Sequence, residues 1–443
     1  MITREQVREL ALFEDPQSCA LSFYFQPAAS RNKAHKEDAI LVKDLAREAL
    51  HQLDGRSSGY PKGRSNSKKD KCESAHADLE RIVLLSQDWR GNARRGNARR
   101  DDDRRDNGRR GNGARAKAVF ACSAQAFWRE YDLPVQLTGT EVRFDRHFHL
   151  KPLAHLLGAF PSLGLVLVDR HRARLFDLRL GELTEREGFF HALSRRGRGD
   201  GFAGYDGGHA ERRVADEARQ HFKFVAEFVK DALDKKVFEN WVLGCQETLW
   251  PQFEPQLHPY VSQKLLGRFS ADVAHATREE IRAEAEHIFA ESQDRRRTEA
   301  VRDALQQSRG NGSGVTGLRR VLHALELGQV QTLLLGFNFT AQAVECSACG
   351  HLDAHLVSFC PVCGRQTRTV VDVAEAILPG VIRRDIELFY VKDDPEFDRV
   401  GNIAALLRFR SDQNRNIQSI SDEPQYPSPR ARLVGRYRGA TTG

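Results

Sequence analysis

The sequence lacks any long apolar run and any apolar segment at its N-terminus. None of its uninterrupted apolar stretches approaches the ~20 residues that cross a bilayer as a helix. The first ten residues, MITREQVREL, carry charges where a secretory signal would be apolar. We therefore expect a cytoplasmic protein that has no membrane partner.

Outside one short segment, the sequence also has almost no net charge. The formal charge of the chain is +7, and residues 90–115 contribute +6 of it through 10 arginines and 4 aspartates. This segment repeats RGNAR without apolar periodicity, so we expect a disordered Arg/Gly insertion at 90–116. It is either a solvated insertion without a specific role or an arm that contacts RNA phosphates. The arginines predicted to make such contacts are Arg94, Arg95, Arg99, Arg100, Arg104, Arg105, Arg109 and Arg110.

Strand-like and helix-like segments alternate along the rest of the chain. At 443 residues the chain is long enough for about three domains. We predict an α/β fold of three domains, each a β-sheet with packed helices. The predicted ranges are an N-terminal domain at 1–157, a middle domain at 158–237, a C-terminal domain at 238–412 that opens with the strand NWVLGC, and a disordered tail at 413–443.

Two segments of the N-terminal domain have a definite predicted structure. KAVFACSAQAFW, which follows the insertion, is typical of a single buried strand. HKEDAILVKDLAREALHQL has helical spacing, so its buried face is predicted from its apolar residues. Those residues are Ile40, Leu41, Leu45 and Leu50.

The cysteines do not form a disulfide framework. Four stand alone in the sequence and are expected to be reduced thiols, while the other four fall within 346–363 as CSACG and CPVCG. Two C-x2-C pairs predict a closed, structural zinc site, and the glycine after each pair leaves room for the backbone to turn. His351 and His355 lie between the pairs, but four thiolates already complete a tetrahedral shell. The predicted zinc ligands are Cys346, Cys349, Cys360 and Cys363.

The middle domain begins with a strong hairpin pattern. GLVLVDRHRARLFDLRLG contains two strands around the turn DRHRA, and the basic, glycine-rich loop RRGRGDGFAG follows further on. Gly207, Gly208 and His209 then come directly before a long charged helix. A glycine pair is common in ordinary turns, but it also permits close approach of another molecule to the backbone. His209 is the sharpest candidate for function, although a lone histidine is more often structural.

This order of features resembles the archaeal and eukaryotic class-1 peptide release factor superfamily, which includes Pelota, over about residues 15–412. The hairpin, the basic glycine loop, the Gly-Gly-X triplet and the long helix match the family's middle domain. Its GRGGQ motif corresponds here to Arg198, Gly199 and, after an insertion, Gly207, Gly208 and His209. VLHALELGQVQTLLLG, the cysteine finger and DRVGNIAALLRFR match its third domain.

The sequence departs from the family at its functional motifs. His209 replaces the glutamine of Gly-Gly-Gln. The codon-reading motif Asn-Ile-Lys-Ser has no clear counterpart, and SRNKAHK is only weakly similar to it. The second codon-reading motif, Tyr-x-Cys-x-x-x-Phe, aligns with VRFDRHF, where only Phe148 remains and Val142 and Phe144 replace tyrosine and cysteine. The resemblance therefore does not extend to stop-codon reading.

The resemblance implies a monomeric, tRNA-shaped factor that binds rRNA in the ribosomal A site. We expect a role in ribosome rescue or hibernation, with a translational GTPase as a further partner and with no enzymatic activity. Gly207, Gly208 and His209 would face the peptidyl-transferase centre, with Arg198 contacting RNA. Two alternatives stay open: an active release factor that hydrolyses peptidyl-tRNA through this triplet, and a general RNA-binding protein.

Overall fold

The computed structural model describes residues 2–15, 19–27, 34–57, 74–86, 116–133, 137, 139–159, 162–190, 207–310 and 312–409. The predicted Arg/Gly insertion, the loop that contains Arg198 and the predicted C-terminal tail lie outside these residues. The described part contains several sheets with packed helices, which confirms the predicted α/β fold. Among the described helices, none combines the length and apolar character needed to cross a membrane.

The N-terminal unit is a four-stranded antiparallel sheet with helices on both faces. Its elements are α1 Arg4–Leu12, β1 Ala20–Phe25, α2 Ala34–Ser57, α3 at 74–86, β2 Ala116–Cys122, β3 Phe127–Leu133, β4 Glu141–Asp145 and α4 Lys151–Ala159. The strand order is β3–β2–β1–β4, and every side chain of the inner strand β1 is buried. Both faces of β1 are buried because helices cover both faces of the sheet: Phe23 packs with α2 and α3, and Tyr24 packs with α1 and α4 on the opposite face.

Two predictions for this unit were wrong in detail. α2 buries Val42, Ala46 and Ala49 against the sheet, whereas Ile40 and Leu41 are exposed. The segment KAVFACSAQAFW is not one strand, because β2 ends at Cys122 and a tight turn leads into β3. The left-handed backbone of Ala126, with φ of 53°, closes that turn.

The middle unit is a mixed five-stranded sheet. Its elements are β5 Leu163–Val168, β6 Arg172–Arg179, β7 Glu182–Phe190, α5 Gly207–Asp234, β8 Asn240–Gly244, α6 Trp250–Phe253, α7 Pro259–Gln263 and β9 Leu265–Phe269. The strand order is β7–β6–β5–β8–β9, with β5, β8 and β9 parallel to one another. The predicted hairpin is β5 and β6, and β7 extends it to three antiparallel strands. Because β8 and β9 belong to this sheet, it continues past residue 237, where the sequence placed the end of the middle domain.

One long helix, α8 (Arg278–Arg309), packs against two sheets. Its first half buries Ile281, Ala285 and Phe289 on the middle sheet. Its second half buries Val301 and Leu305, among others, on the next sheet along the chain. At 32 residues the helix is about 48 Å long, so it links the two units as a continuous element.

The third unit is a four-stranded sheet that carries a small cysteine finger. Its elements after α8 are β10 Gly314–Thr316, α9 Leu318–Glu326, β11 Val330–Gly336, β12 Ala343–Cys346, β13 Leu352–Asp353, β14 Thr367–Val370, α10 Val373–Arg383, β15 Glu387–Val391, α11 Pro395–Arg399 and β16 Ile403–Leu407. The main sheet has the order β10–β16–β11–β15, and the finger has the order β13–β12–β14. Helices α9 and α10 pack on one face of the main sheet and the second half of α8 on the other.

The N-terminal and third units also contact each other. Helix α1 lies against α10, and Ile382 of α10 packs against the N-terminal core. The ring of His155 in α4 stacks on Tyr390 of β15 with centroids 3.7 Å apart. Further contacts between these units are ion pairs, which are described below.

Candidate functional site

The triplet Gly207-Gly208-His209 forms the first residues of α5. The sequence had suggested that the triplet precedes the helix, but α5 begins at Gly207. Glycine is tolerated there because the first turn of a helix lacks part of its internal hydrogen bonding. The N–H groups of that turn have no intrahelical acceptor, so they can donate to anionic or carbonyl oxygens of another molecule.

Helix α5 is held to the middle sheet through its later turns. Phe222, Val225 and Val229, which share one face of the helix, are buried against β5, β6 and β8. Before Ala218, none of the side chains described on α5 is buried. Gly207 lies 11 residues before Ala218, or about 16 Å along the helix axis. The triplet is therefore carried well beyond the part of α5 that packs on the sheet.

The topology fixes which end of the sheet the triplet occupies. Helix α5 connects β7 to β8, and β8 runs parallel to β5, so α5 begins at the end where β5 finishes. The turn between β5 and β6 lies at the same end, because Arg172 pairs with Phe190, the last residue of β7. Arg170 and Arg172 in this turn are exposed. The described surface beside the start of α5 is thus basic.

The predicted RNA-binding arginines cannot be located in the structure. Arg198 falls in the gap 191–206, and the eight arginines of the insertion fall in the gap 87–115.

The four finger cysteines are brought into one cluster. Their Sγ atoms lie within 4.8 Å of one another, with Cys346 to Cys363 at 3.3 Å and Cys349 to Cys360 at 3.7 Å. Four thiolates around a tetrahedral zinc, at about 2.3 Å each, lie about 3.8 Å apart. The cluster therefore has the size and the donor set that zinc requires.

Both cysteine pairs have the same backbone turn. Gly350 N–H donates to the carbonyl of Cys346 at 3.0 Å, and Gly364 N–H donates to that of Cys360 at 2.9 Å. Both glycines have φ of 72°, a left-handed conformation that residues with a Cβ rarely adopt. The predicted role of the glycine after each pair is thus visible in the backbone.

The finger backbone also favours a thiolate at Cys346. The N–H groups of Cys349 and Ala348 point at its Sγ from 3.5 and 3.4 Å, and they lower the pKa of this thiol to about 6. The histidines between the pairs are engaged elsewhere. His351 Nδ1 lies 2.8 Å from Glu326, and His355 Nδ1 lies 3.1 Å from Asp353.

The side chains aligned with the second codon-reading motif pack in the core of the N-terminal unit. Phe148 is buried and stacks on Phe13 with centroids 4.4 Å apart. Phe144 is buried against α2 and α3, and Val142 packs at the edge of the same core. These three side chains therefore pack inside the unit. Of SRNKAHK, residues 30–33 lie outside the described chain.

A polar cluster that the sequence did not predict lies between the N-terminal and third units. His149, Glu141 and Glu375 come together there, from two units that are far apart in the chain. No local motif marks these residues, since each is an ordinary charged residue in its own segment.

Residues 149–290 match the family model described as bacterial archaeo-eukaryotic release factor family 10. The matched range contains the complete middle sheet, α5 and the first part of α8. Over these residues the chain is similar to the bacterial branch of the archaeal and eukaryotic release factor superfamily. This confirms the resemblance that was drawn from the hairpin, the Gly-Gly-X triplet and the long helix.

Solved structures from this release factor superfamily are similar to the chain at low identity. A crystal structure of aRF1, an archaeal translation termination factor, is 14% identical, covering 92% of this chain and 99% of that chain with a TM-score of 0.22. Dom34 of S. cerevisiae, a translation termination-like factor involved in RNA quality control pathways and interacting with Hbs1, is 9% identical, covering 67% and 81% with a TM-score of 0.36. A model of ribosome-bound archaeal Pelota and ABCE1 is 16% identical, covering 67% and 78% with a TM-score of 0.36. None of the curated proteins matches this chain.

Proposed function

We propose that this protein is a release-factor-like translation factor that binds the A site of the ribosome without reading stop codons. Its role is ribosome rescue or hibernation. The observation that carries the proposal is the family match over the middle unit, whose long helix begins with Gly207, Gly208 and His209. Release factors place the corresponding triplet at the peptidyl-transferase centre.

The geometry of α5 supports this placement. A triplet carried about 16 Å beyond the packed part of the helix can enter a cleft that the sheet itself cannot enter. The absence of a Cβ at Gly207 and Gly208 lets RNA approach the backbone closely. The exposed Arg170 and Arg172 at the same end of the sheet favour a polyanionic partner.

Histidine in the third position argues against efficient peptide release. A glutamine amide both donates and accepts hydrogen bonds at a fixed reach, whereas imidazole has a different reach and titrates near neutral pH. A water held about 1 Å from its productive position can lose on the order of 100-fold in rate. We therefore propose that this protein occupies the site without hydrolysing peptidyl-tRNA.

Burial in the N-terminal unit argues against codon reading. Phe144 and Phe148, which align with the second codon-reading motif, pack within the core and do not offer their rings to RNA. Arg143 and Asp145, which flank Phe144, each form an ion pair with the third unit. In this conformation, that segment of the N-terminal unit faces protein.

We propose that the cysteine cluster holds one structural zinc ion. Cys346, Cys349, Cys360 and Cys363 fit it in number, donor type and spacing. Four thiolates close the coordination shell and leave no position for a reactive water, so the metal would stabilise the finger fold.

We further propose three domains, with the second boundary revised. Since β8 and β9 complete the middle sheet, the middle domain would end within α8, between its two packing surfaces. The superfamily resemblance also suggests a monomer and a translational GTPase as partner.

Co-sedimentation with bacterial ribosomes tests the proposal. The protein should sediment with ribosomes whose A site is vacant, and tRNA bound in that site should displace it. Sedimentation that A-site tRNA does not affect would argue for another binding site. Absence of sedimentation, together with retention on RNA, would favour a general RNA-binding protein.

A peptide-release assay on the same complexes separates the enzymatic alternative. We expect the wild-type protein to release little or no peptide from stalled ribosomes or from ribosomes at a stop codon. We also expect His209→Gln to restore little, because the insertion between Arg198 and Gly207 changes the loop as well. Robust release by the wild type that His209→Ala abolishes would establish the enzyme instead.

A further inference from the structure

His149 lies between carboxylates from two different units. Its Nε2 is 3.3 Å from Oε1 of Glu141, on β4 of the N-terminal unit. Its Nδ1 is 3.0 Å from Oε1 of Glu375, in the first turn of α10 in the third unit, a distance within ion-pair range but without hydrogen-bond geometry. The His149 side chain is only 6% exposed, so water does not screen these contacts effectively.

The position of the ring is set by the N-terminal sheet. The His149 N–H donates to Ser22 Oγ at 2.8 Å, and the His149 carbonyl accepts from Tyr24 Oη at 2.5 Å. Both partners are on β1, the inner strand that lies next to β4. Glu141 completes the same side of the contact. Glu375 is thus the only one of these partners that belongs to the third unit.

Such an arrangement favours a charged imidazole ring. A neutral imidazole has one N–H, so its other nitrogen would turn a lone pair toward a carboxylate oxygen. The imidazolium form has two N–H groups and attracts both carboxylates. Burial lowers the pKa of His149, but Glu141 and Glu375 outweigh burial and raise the pKa above its ordinary value.

Other charged and titratable groups face His149 from the elements packed around it. On β4, Arg143 contacts both carboxylates, at 3.3 Å from Glu141 and 3.1 Å from Glu375. Lys151 at the start of α4 pairs with Asp372 at the start of α10, at 3.0 Å. The ring of Tyr24 on β1 meets the His149 ring edge-on. Among these residue types, histidine has the ordinary pKa that lies nearest to neutral pH.

A second histidine at the same interface does not take up a proton near neutral pH. His155 stacks on Tyr390 of the third unit and meets the ring of Phe337 edge-on. Burial, with Lys151 as a further cause, lowers the pKa of His155 to about 4. The interface therefore contains one histidine whose charged form is favoured by its surroundings and one whose neutral form is favoured.

We propose that His149 is a proton-dependent latch between the N-terminal and third units. With His149 protonated, the ring joins Glu141 to Glu375 and the units are closed against each other. Loss of the proton removes this link and leaves two carboxylates facing one another across the ring, with Arg143 as their remaining counter-charge. The units then separate more readily.

The sign of the pH dependence follows from the raised pKa. Protonation of His149 contributes fully to closure below about pH 6.5, the pKa of a solvated histidine, as long as both carboxylates stay ionised. This contribution falls as the pH rises through the higher pKa of the closed form. One proton is linked to opening, so the opening constant rises by up to about tenfold per pH unit between these two pKa values.

Closure has a consequence for the surface of the N-terminal unit. Arg143 contacts Glu375, Asp145 contacts Arg368 of β14, and Arg146 donates to the Ser347 carbonyl of the finger at 3.5 Å. The latch therefore controls whether this edge of the N-terminal sheet is covered by the third unit or is free for another partner. It does not depend on the proposed ribosomal function.

Hydrogen exchange of the full chain as a function of pH tests the latch. Peptides from β4 and α10 would be followed between about pH 6 and pH 8.5, a window that spans the ordinary histidine pKa, with correction for intrinsic exchange rates. For the wild type, we expect the opening constant of these peptides to rise with pH by up to about tenfold per unit. For His149→Gln we expect a constant that does not depend on pH.

His155→Gln is the matched control, because it alters the same interface at a group that stays neutral. It should weaken closure by a similar factor at all pH values and keep the wild-type slope. If His149→Gln does not fold, Glu375→Gln removes the partner in the third unit without changing the N-terminal sheet. A flat wild-type profile, or a slope that persists in both His149→Gln and Glu375→Gln, would overturn the proposal.

Discussion

At the scale of single residues, Gly207 and Gly208 lie in a helix and not in a turn, so the turn geometry does not explain why glycine stands there. The sequence suggested a glycine pair in the loop before the helix, whereas α5 starts at Gly207. A helical backbone accepts any residue with a Cβ, so local conformation does not require glycine at Gly208. What remains is the space that a glycine leaves for another molecule.

Replacing Gly208 with alanine separates these two reasons. We expect Gly208→Ala to leave the free energy of unfolding unchanged or to raise it by up to about 1 kcal/mol, because alanine has a higher helix propensity than glycine. The same change should reduce ribosome occupancy in co-sedimentation, since the added methyl group prevents close approach of RNA. Lower thermal stability would show that the glycine has a structural role. Unchanged occupancy would mean that the triplet does not contact the ribosome closely.

Which residues the sequence could predict depended on how distinct the local pattern was. The buried face of α5 has a distinct pattern, because the large apolar residues Phe222, Val225 and Val229 lie on one side of the helix. For α2 the wrong face was predicted, because a second stripe of Val42, Ala46 and Ala49 has the same spacing. The short alanines let that face approach the sheet closely. The contact of His149 with Glu375 had no local pattern at all, since it exists only once two units meet.

At the scale of elements, two neighbouring phenylalanines of α5 test how the helix is held to the sheet. Phe222 is buried and meets the ring of Phe253 edge-on, with centroids 5.6 Å apart, whereas Phe224 is 41% exposed. Phe222→Ala should lower the free energy of unfolding by about 3–5 kcal/mol, as the cavity is in a packed core. The measurement is chemical denaturation of the middle unit.

Phe224→Ala is the matched control in the same helix, two residues away. It should change the free energy of unfolding by about 0.5 kcal/mol or less, as for other exposed positions. Equal losses for both variants would contradict the packing of α5 on the sheet and with it the extension of Gly207 beyond that packing.

The finger offers a second test at this scale. We expect one zinc ion per chain by metal analysis of protein purified under reducing conditions, and loss of the metal in Cys360→Ser. Without metal, the two turns lose their common ligand, so the finger should be more open to proteolysis. Cys245→Ala, at a buried thiol of the middle core, should keep the metal. Wild-type protein free of zinc would refute the assignment.

Elements with a distinct local sequence pattern were predicted well. The errors arose where a contact between distant segments determines the structure. The hairpin β5–β6, the helix α9 and the cysteine turns all follow from their sequences. The turn after β2 was missed because Ser123 to Ala126 contain no glycine, proline or asparagine. The strand β8 was assigned to the wrong neighbours, since only pairing with β5 places it in the middle sheet.

At the scale of the whole molecule, α8 determines how the middle and third units are connected. Its residues packed on the middle sheet and those packed on the third sheet lie on different sides of the helix. No single amphipathic stripe therefore runs along its length, and the sequence predicted only helical segments here. A continuous helix of about 48 Å links the middle and third units, and the N-terminal unit contacts the third through α1 and α10.

The Arg/Gly insertion is the remaining large-scale feature, and it makes a prediction about affinity. Its arginines hold nearly all the net charge of the chain, and it joins α3 to β2 in the N-terminal unit. Arginines that neutralise RNA phosphates release counterions, so binding weakens with salt. For each phosphate that is neutralised on a single strand, the logarithm of affinity falls by about 0.7 per logarithm of salt concentration.

Replacing residues 90–115 with a Gly/Ser linker of the same length tests this interpretation. We expect the salt slope of RNA or ribosome binding to become less steep by about 0.7 for each phosphate that the arginines no longer neutralise. The melting temperature should stay the same, because the segment contributes no large apolar side chain to a core. Binding would be measured by titration at several salt concentrations. An unchanged slope would identify the insertion as a solvated loop without a role in binding, and the basic turn with Arg170 and Arg172 would then be the described surface to test next.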